Sequence, residues 1–243
     1  YQIMKKVTLF ATIIVFFVAT GLILQSFTGN VLKIEGKNVD ISAFTELNVE
    51  VPYDIIFTQG DAATLKIDAD AATLEKIEVL QKGDKLTIGI KDNQYKNTKG
   101  GNVKIYLSTA ALKTINVAGS GNFTSTNIIT NNETIATSVA GSGNIDASIQ
   151  SAGLKGDIAG SGNITLKGTT KKVTFSIAGS GNFMLNDLIA EDVTGDIAGS
   201  GSAKVYANNM LEASIAGSGD IIYYGNPKDV KKNVAGSGKV IDN

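Results

Sequence analysis

Asp146, Asp157, Asp196 and Asp220 are the side chains with which this sequence could do acid–base chemistry, and all four lie where one short phrase recurs along the chain. Cleaving a polysaccharide by hydrolysis or elimination requires convergent carboxylates or a strong base. Asp157 and Asp196 each stand one residue before the same apolar position of the repeat, while Asp146 and Asp220 lie elsewhere in their units. A cluster is allowed by that spacing but not forced by it. Most other chemistry lacks its residues. The 243 residues include no His, no Cys and no Trp, and every one of the 22 basic residues is Lys. Ser-His and Cys-His pairs, imidazole bases, thiolate or imidazole metal sites and disulfides are therefore excluded, as is an arginine base. A net charge of -1 without arginine argues against a nucleic-acid partner. A calcium β-roll would need Gly-Gly-x-Gly-x-Asp at short repeat, and an ice-binding face a flat threonine array; neither pattern is present. No cofactor and no metal are expected.

Hydroxyls and amides are far more regular than the carboxylates. Ala-Gly-Ser-Gly occurs seven times, at 118–121, 140–143, 159–162, 178–181, 198–201, 216–219 and 235–238. The glycine pairs are Gly119 and Gly121, Gly141 and Gly143, Gly160 and Gly162, Gly179 and Gly181, Gly199 and Gly201, Gly217 and Gly219, and Gly236 and Gly238. Between them stand Ser120, Ser142, Ser161, Ser180, Ser200, Ser218 and Ser237. Asn122, Asn144, Asn163 and Asn182 follow the first four copies, and Ser202, Asp220 and Lys239 the last three.

Strands must position these groups. The residue before each phrase is Val117, Val139, Ile158, Ile177, Ile197, Ile215 or Val234, and six residues later comes Phe123, Ile145, Ile164, Phe183, Ala203, Ile221 or Val240. Even spacing of apolar, β-branched residues is strand periodicity, which puts these positions and both glycines on one inward face. Glycine at the corner allows close backbone approach or positive φ. Ala, Ser and Asn would then point outward, and in-register parallel stacking would build a Ser column beside an Asn column. A tight phrase recurring about every 19 residues marks a solenoid. The expected fold is an all-β, single-stranded parallel β-helix, right-handed, with about 19 residues per coil.

Residues 112–243 form the regular part. Residues 30–111 keep strand patterns such as Tyr53–Phe57 and Leu86–Ile90 without the phrase, with one helical turn over Asp70–Lys76. They read as irregular first coils and a cap, or as a separate small β domain. Pro227, Lys228, Lys231, Lys232 and Lys239 crowd the final coil and suit gatekeeping of an exposed edge. Residues 1–29 read as a signal peptide or an N-terminal membrane anchor. Met4-Lys5-Lys6 precedes an uncharged run from Val7 to Leu24, longer than a usual signal core and without Ala-x-Ala after it. If retained, it would be the chain's only tie to a membrane, with the lysines in the cytoplasm. With no cysteine after it, lipid attachment there is excluded.

Glu46-Leu-Asn-Val, Gln59-Gly-Asp, Lys82-Gly-Asp-Lys-Leu-Thr-Ile and Leu112-Lys-Thr-Ile, followed by the repeated Val/Ile-Ala-Gly-Ser-Gly-Asn, resemble the putative auto-transporter adhesin, head GIN domain family, over about Phe44 to Gly238. The resemblance implies a β-helical fold and export to the periplasm, outer membrane or surface of a Gram-negative bacterium. No auto-transporter barrel pattern is visible before Asn243, so it implies location more than adhesion. Two functions stand side by side: a non-catalytic envelope or surface protein with an adhesive, structural or glycan-binding role, its partner a surface glycan or envelope protein, and a polysaccharide-active enzyme using clustered Asp residues.

Overall fold

The computed structural model describes residues 35–91 and 103–243; the expected signal or anchor segment, residues 1–29, lies outside the described residues. Among the described residues, no helix is long and apolar enough to cross a membrane. Alternating apolar residues draw the repeat half into five long strands: β9 (Asn122–Gly141), β10 (Asn144–Gly160), β11 (Asn163–Gly179), β12 (Asn182–Gly199) and β13 (Ser202–Gly217). Then come β14 (Asp220–Tyr224), β15 (Asp229–Gly236) and β16 (Lys239–Asp242). Each turn lies parallel on the one before, like residue on like residue: Asn144 opposite Asn163, Ile158 opposite Ile177, Gly160 opposite Gly179. The result is a β-solenoid of about seven turns with ~19 residues per turn.

Period-2 alternation decides what enters the interior. On β10 these are Ile145, Ala147 and Ile149, then, after a corner, Leu154, Gly156 and Ile158. Inward residues stack into columns, and Val117, Val139, Ile158, Ile177, Ile197 and Ile215 are each no more than 2% exposed. Burying one such side chain contributes ~1.5–3 kcal/mol, and the gain recurs on every turn. Size is balanced between turns as well as within them. Phe175 lies between Gly156 and Gly195 in one column and packs on Phe183 at a centroid distance of 5.1 Å. A Cβ at Gly156 would come within 2.7 Å of the Phe183 ring, and one at Gly195 would overlap Phe175.

The strands before the first phrase join the same sheet. Here β2 (Glu46–Val49) lies parallel to β8 (Thr114–Gly119) and to β6 (Lys85–Ile90), and β3 (Asp54–Gln59) lies parallel to β9 and to β7 (Lys104–Thr109). Three pairs run antiparallel: β1 (Glu35–Val39) with β4 (Thr64–Ala69), β4 with β7, and β5 (Ile77–Lys82) with β6. The expected helical turn is α1 (Ala71–Leu74), capped by Asp70, whose carboxylate accepts from Thr73 N at 3.0 Å and from Thr73 Oγ1 at 2.8 Å. The longer first repeat interval is taken up by two register shifts, since Thr124 pairs with Asp146 but Ile128 with Ser148, and Asn131 with Ser151 but Thr134 with Gly153; the first forms the larger bulge. Its polar groups are satisfied by β3: Thr126 bonds Thr58 (2.6 Å), while Asn127 accepts from Gln59 N and donates to Gln59 O, each at 2.9 Å.

Candidate functional site

Each Ala-Gly-Ser-Gly phrase makes the corner at which the chain starts its next turn. The first glycine adopts positive φ, from 99° at Gly119 to 139° at Gly217, which L side chains resist. That conformation turns its carbonyl along the stack, where it accepts two N–H groups of the next corner: Gly119 O from Ser142 N (2.8 Å) and Gly143 N (2.9 Å). Gly141, Gly160, Gly179, Gly199 and Gly217 repeat the arrangement toward Ser161 and Gly162, Ser180 and Gly181, Ser200 and Gly201, Ser218 and Gly219, and Ser237 and Gly238. The alternation expected both glycines inward. Only the second of each pair is buried; positive φ takes the first out of the strand pattern and leaves it at the surface. A Cβ on the buried glycine has no room, because at Gly143 it would meet the carbonyl oxygen of Gly121.

After each corner the Asn side chains hydrogen-bond along the stack. Asn144 Nδ2 donates to Asn122 Oδ1 (2.8 Å), Asn163 to Asn144 and Asn182 to Asn163 (each 2.9 Å), and Asn182 Oδ1 accepts from Ser202 N (3.2 Å). All amides point the same way. The ladder starts on a residue that the phrase does not mark: Asn122 donates to Asp54 Oδ1 at 2.9 Å. In-register pairing continues that column through Lys104 to Asp68, an alternation of charge that favours the pairing. Asp54 sits at an outward position of a strand pattern that was legible, but only knowledge of its neighbour would have revealed its role. The exposed Ser column carries one hydrogen bond, from Ser237 Oγ to Ser218 Oγ at 3.0 Å.

The four aspartates do not converge. Asp157 and Asp196 share one outward column with Ser176 between them, so their Cα atoms are two rungs, about 10 Å, apart. Ser176 Oγ donates to Asp157 Oδ1 at 2.7 Å, and Lys155 Nζ lies 3.8 Å from Asp157 Oδ2. Asp196 borders a shallow groove with Ala178, Ala198 and Ser214. Asp146 lies elsewhere, beside Asp54, Lys104 and Asn144. Asp220 opens β14 and accepts from Lys239 N at 2.8 Å. Among the described residues, no group of three or more carboxylates is placed to hold a metal.

These features define a class: a single-chain parallel β-solenoid whose recurrent phrase builds corners and a side-chain ladder. More particularly, the chain belongs to the family described as putative auto-transporter adhesin, head GIN domain, whose model matches residues 43–227. It resembles the crystal structure of a putative lipid binding protein from Parabacteroides distasonis, with 30% identity and a TM-score of 0.71 over 88% of this chain and 98% of that one. Putative adhesins from Bacteroides fragilis (23% identity, TM-score 0.81, 87% of this chain and 97% of that one) and Parabacteroides merdae (22%, 0.65, 88% and 98%) share the fold. No curated protein matches the sequence.

Proposed function

We propose that the chain is an exported, non-catalytic β-solenoid of the bacterial cell envelope or surface, which presents ordered hydroxyl and amide columns as a structural and adhesive face toward a surface glycan or an envelope protein. The observation that carries this reading is the ladder from Asn122 to Ser202, which fixes neutral hydrogen-bonding groups at rung spacing along the outside of the stack. Family membership and the names of the similar Bacteroides and Parabacteroides proteins support it. The Lys5-Lys6 and apolar pattern near the N-terminus supports export. For lipid binding, the name of one similar structure, the inward columns offer no room: their side chains fill the interior at close to zero exposure.

The test is binding of the purified chain to arrayed envelope glycans and matrix proteins. Retention that weakens when Ser142, Ser161 and Ser180 are changed to Ala together is the expected result. Uniform absence of binding, with the Ser variants altering only stability, would end the adhesive reading. A second reading, polysaccharide cleavage, draws on Asp157 and Asp196 sharing one outward column. Turnover of any polysaccharide that disappears in Asp196→Asn would establish it.

A further inference from the structure

A parallel stack has two ends, and the edge strand at each offers unpaired backbone groups to another strand. At the N-terminal side the stack stops by reversal, since β4 runs antiparallel to β7, β1 antiparallel to β4, and β5 antiparallel to β6. At the other side nothing reverses. β15 runs parallel to β13 and β16 parallel to β14, and among the described residues no strand pairs with their far edges. Val234 is 40% exposed there, whereas Ile215 and Ile197 below it in the same column are 2% exposed.

At this coil the inward residue types change. The position filled by Phe175, Gly195 and Ala213 in successive turns holds Lys232. The position filled by Leu185, Val205 and Tyr223 holds Asp242. Lys232 lies across the mouth of the coil, its Nζ 5.0 Å from the centroid of the buried Tyr223 ring and donating to Val240 O at 3.2 Å, so it ties β15 to β16. Asp242 lies in register beside Tyr223, whose hydroxyl is held above its ordinary value first by burial and then by the Asp242 charge. Another coil laid on this end would have to strip water from both charges, a cost that contact with apolar side chains does not recover.

We propose that Lys232 and Asp242 form a charged plug that closes this end of the solenoid to a second copy of the chain. Because the opposite end is made of reversed strands, the surface that best matches this edge is the same edge of another molecule. The association held off is therefore isologous and end to end, β15 against β15, and it stops at two copies.

Light scattering of the full chain, purified in mild detergent and followed over a wide concentration range, tests the plug. The parent should keep the monomer mass throughout. Lys232→Met keeps the stem and removes the charge, and both it and the Lys232→Met/Asp242→Val pair should double in mass as concentration rises. Lys231→Met, on the same strand but outside the inward columns, should not. Circular dichroism checks that strand content is unchanged, and if the pair does not fold, Lys232→Met alone decides. Folded variants that stay monomeric would overturn the proposal, as would equal dimerisation of Lys231→Met or a parent that already pairs through this edge.

Discussion

At the scale of single residues, the corner separates side chains that look alike in the repeat. Gly181 is buried, and a Cβ there would fall on the Gly162 carbonyl oxygen and the Ile158 side chain, neither of which can move without shifting a stacked strand. Gly181→Ala should cost about 3 kcal/mol in urea unfolding. The neighbouring Ser180 is exposed, and only its backbone N–H, which alanine keeps, bonds along the stack, so Ser180→Ala should stay within about 0.5 kcal/mol of the parent. Asn163→Ala removes a donor to Asn144 and an acceptor for Asn182, and its expected cost is about 1–2 kcal/mol. Two buried hydroxyls, those of Tyr53 and Thr137, lack hydrogen-bond partners among the described residues and work against stability. Thr137, 1% exposed, has no hydrogen-bond partner for its Oγ1 among the described residues, so Thr137→Val, which replaces the hydroxyl by a methyl, should raise stability by about 1 kcal/mol. An unchanged or lower unfolding midpoint would mean that the hydroxyl is satisfied after all.

At the scale of elements, α1 shows how one cap becomes a pH dependence. Asp70 titrates below its ordinary value of 3.8, held down first by the Thr73 hydroxyl and then by the Thr73 backbone N–H. A carboxyl with a depressed folded value adds stability above its unfolded pKa and loses it as pH falls through the folded one. Asp70→Ala should therefore cost about 1 kcal/mol near neutrality, and the gap to the parent should narrow as the medium is made acid through that range. A gap that stays constant with pH would show that the carboxylate charge has no part in the cap. The repeat strands were legible because the same residue types return at each rung, so Ile158 on Ile177 follows from counting. Half of the corner was not legible, because an even offset cannot tell a glycine that continues a strand from one that leaves it by positive φ. The earlier strands hid their partners for another reason: Asn116 donates to Asn48 across 68 residues, and no shared phrase marks the two as neighbours.

At the scale of the whole molecule, the corners are stacked at one rung per repeat. Nearest-neighbour coupling follows from it: each turn completes the core of the one before, so a clash such as Gly181→Ala should be felt in adjacent turns. The chain has no cysteine, so pairs of spin labels on Ser→Cys variants report unambiguous positions. Dipolar distance measurement between Ser120 and Ser200, four rungs apart, and between Ser120 and Ser237, six rungs apart, reads the stack directly. Mean distances of about 19 and about 29 Å, rising linearly with rung number, are the expected result. Distances that do not grow with the number of intervening phrases, or that scatter without order, would contradict the solenoid.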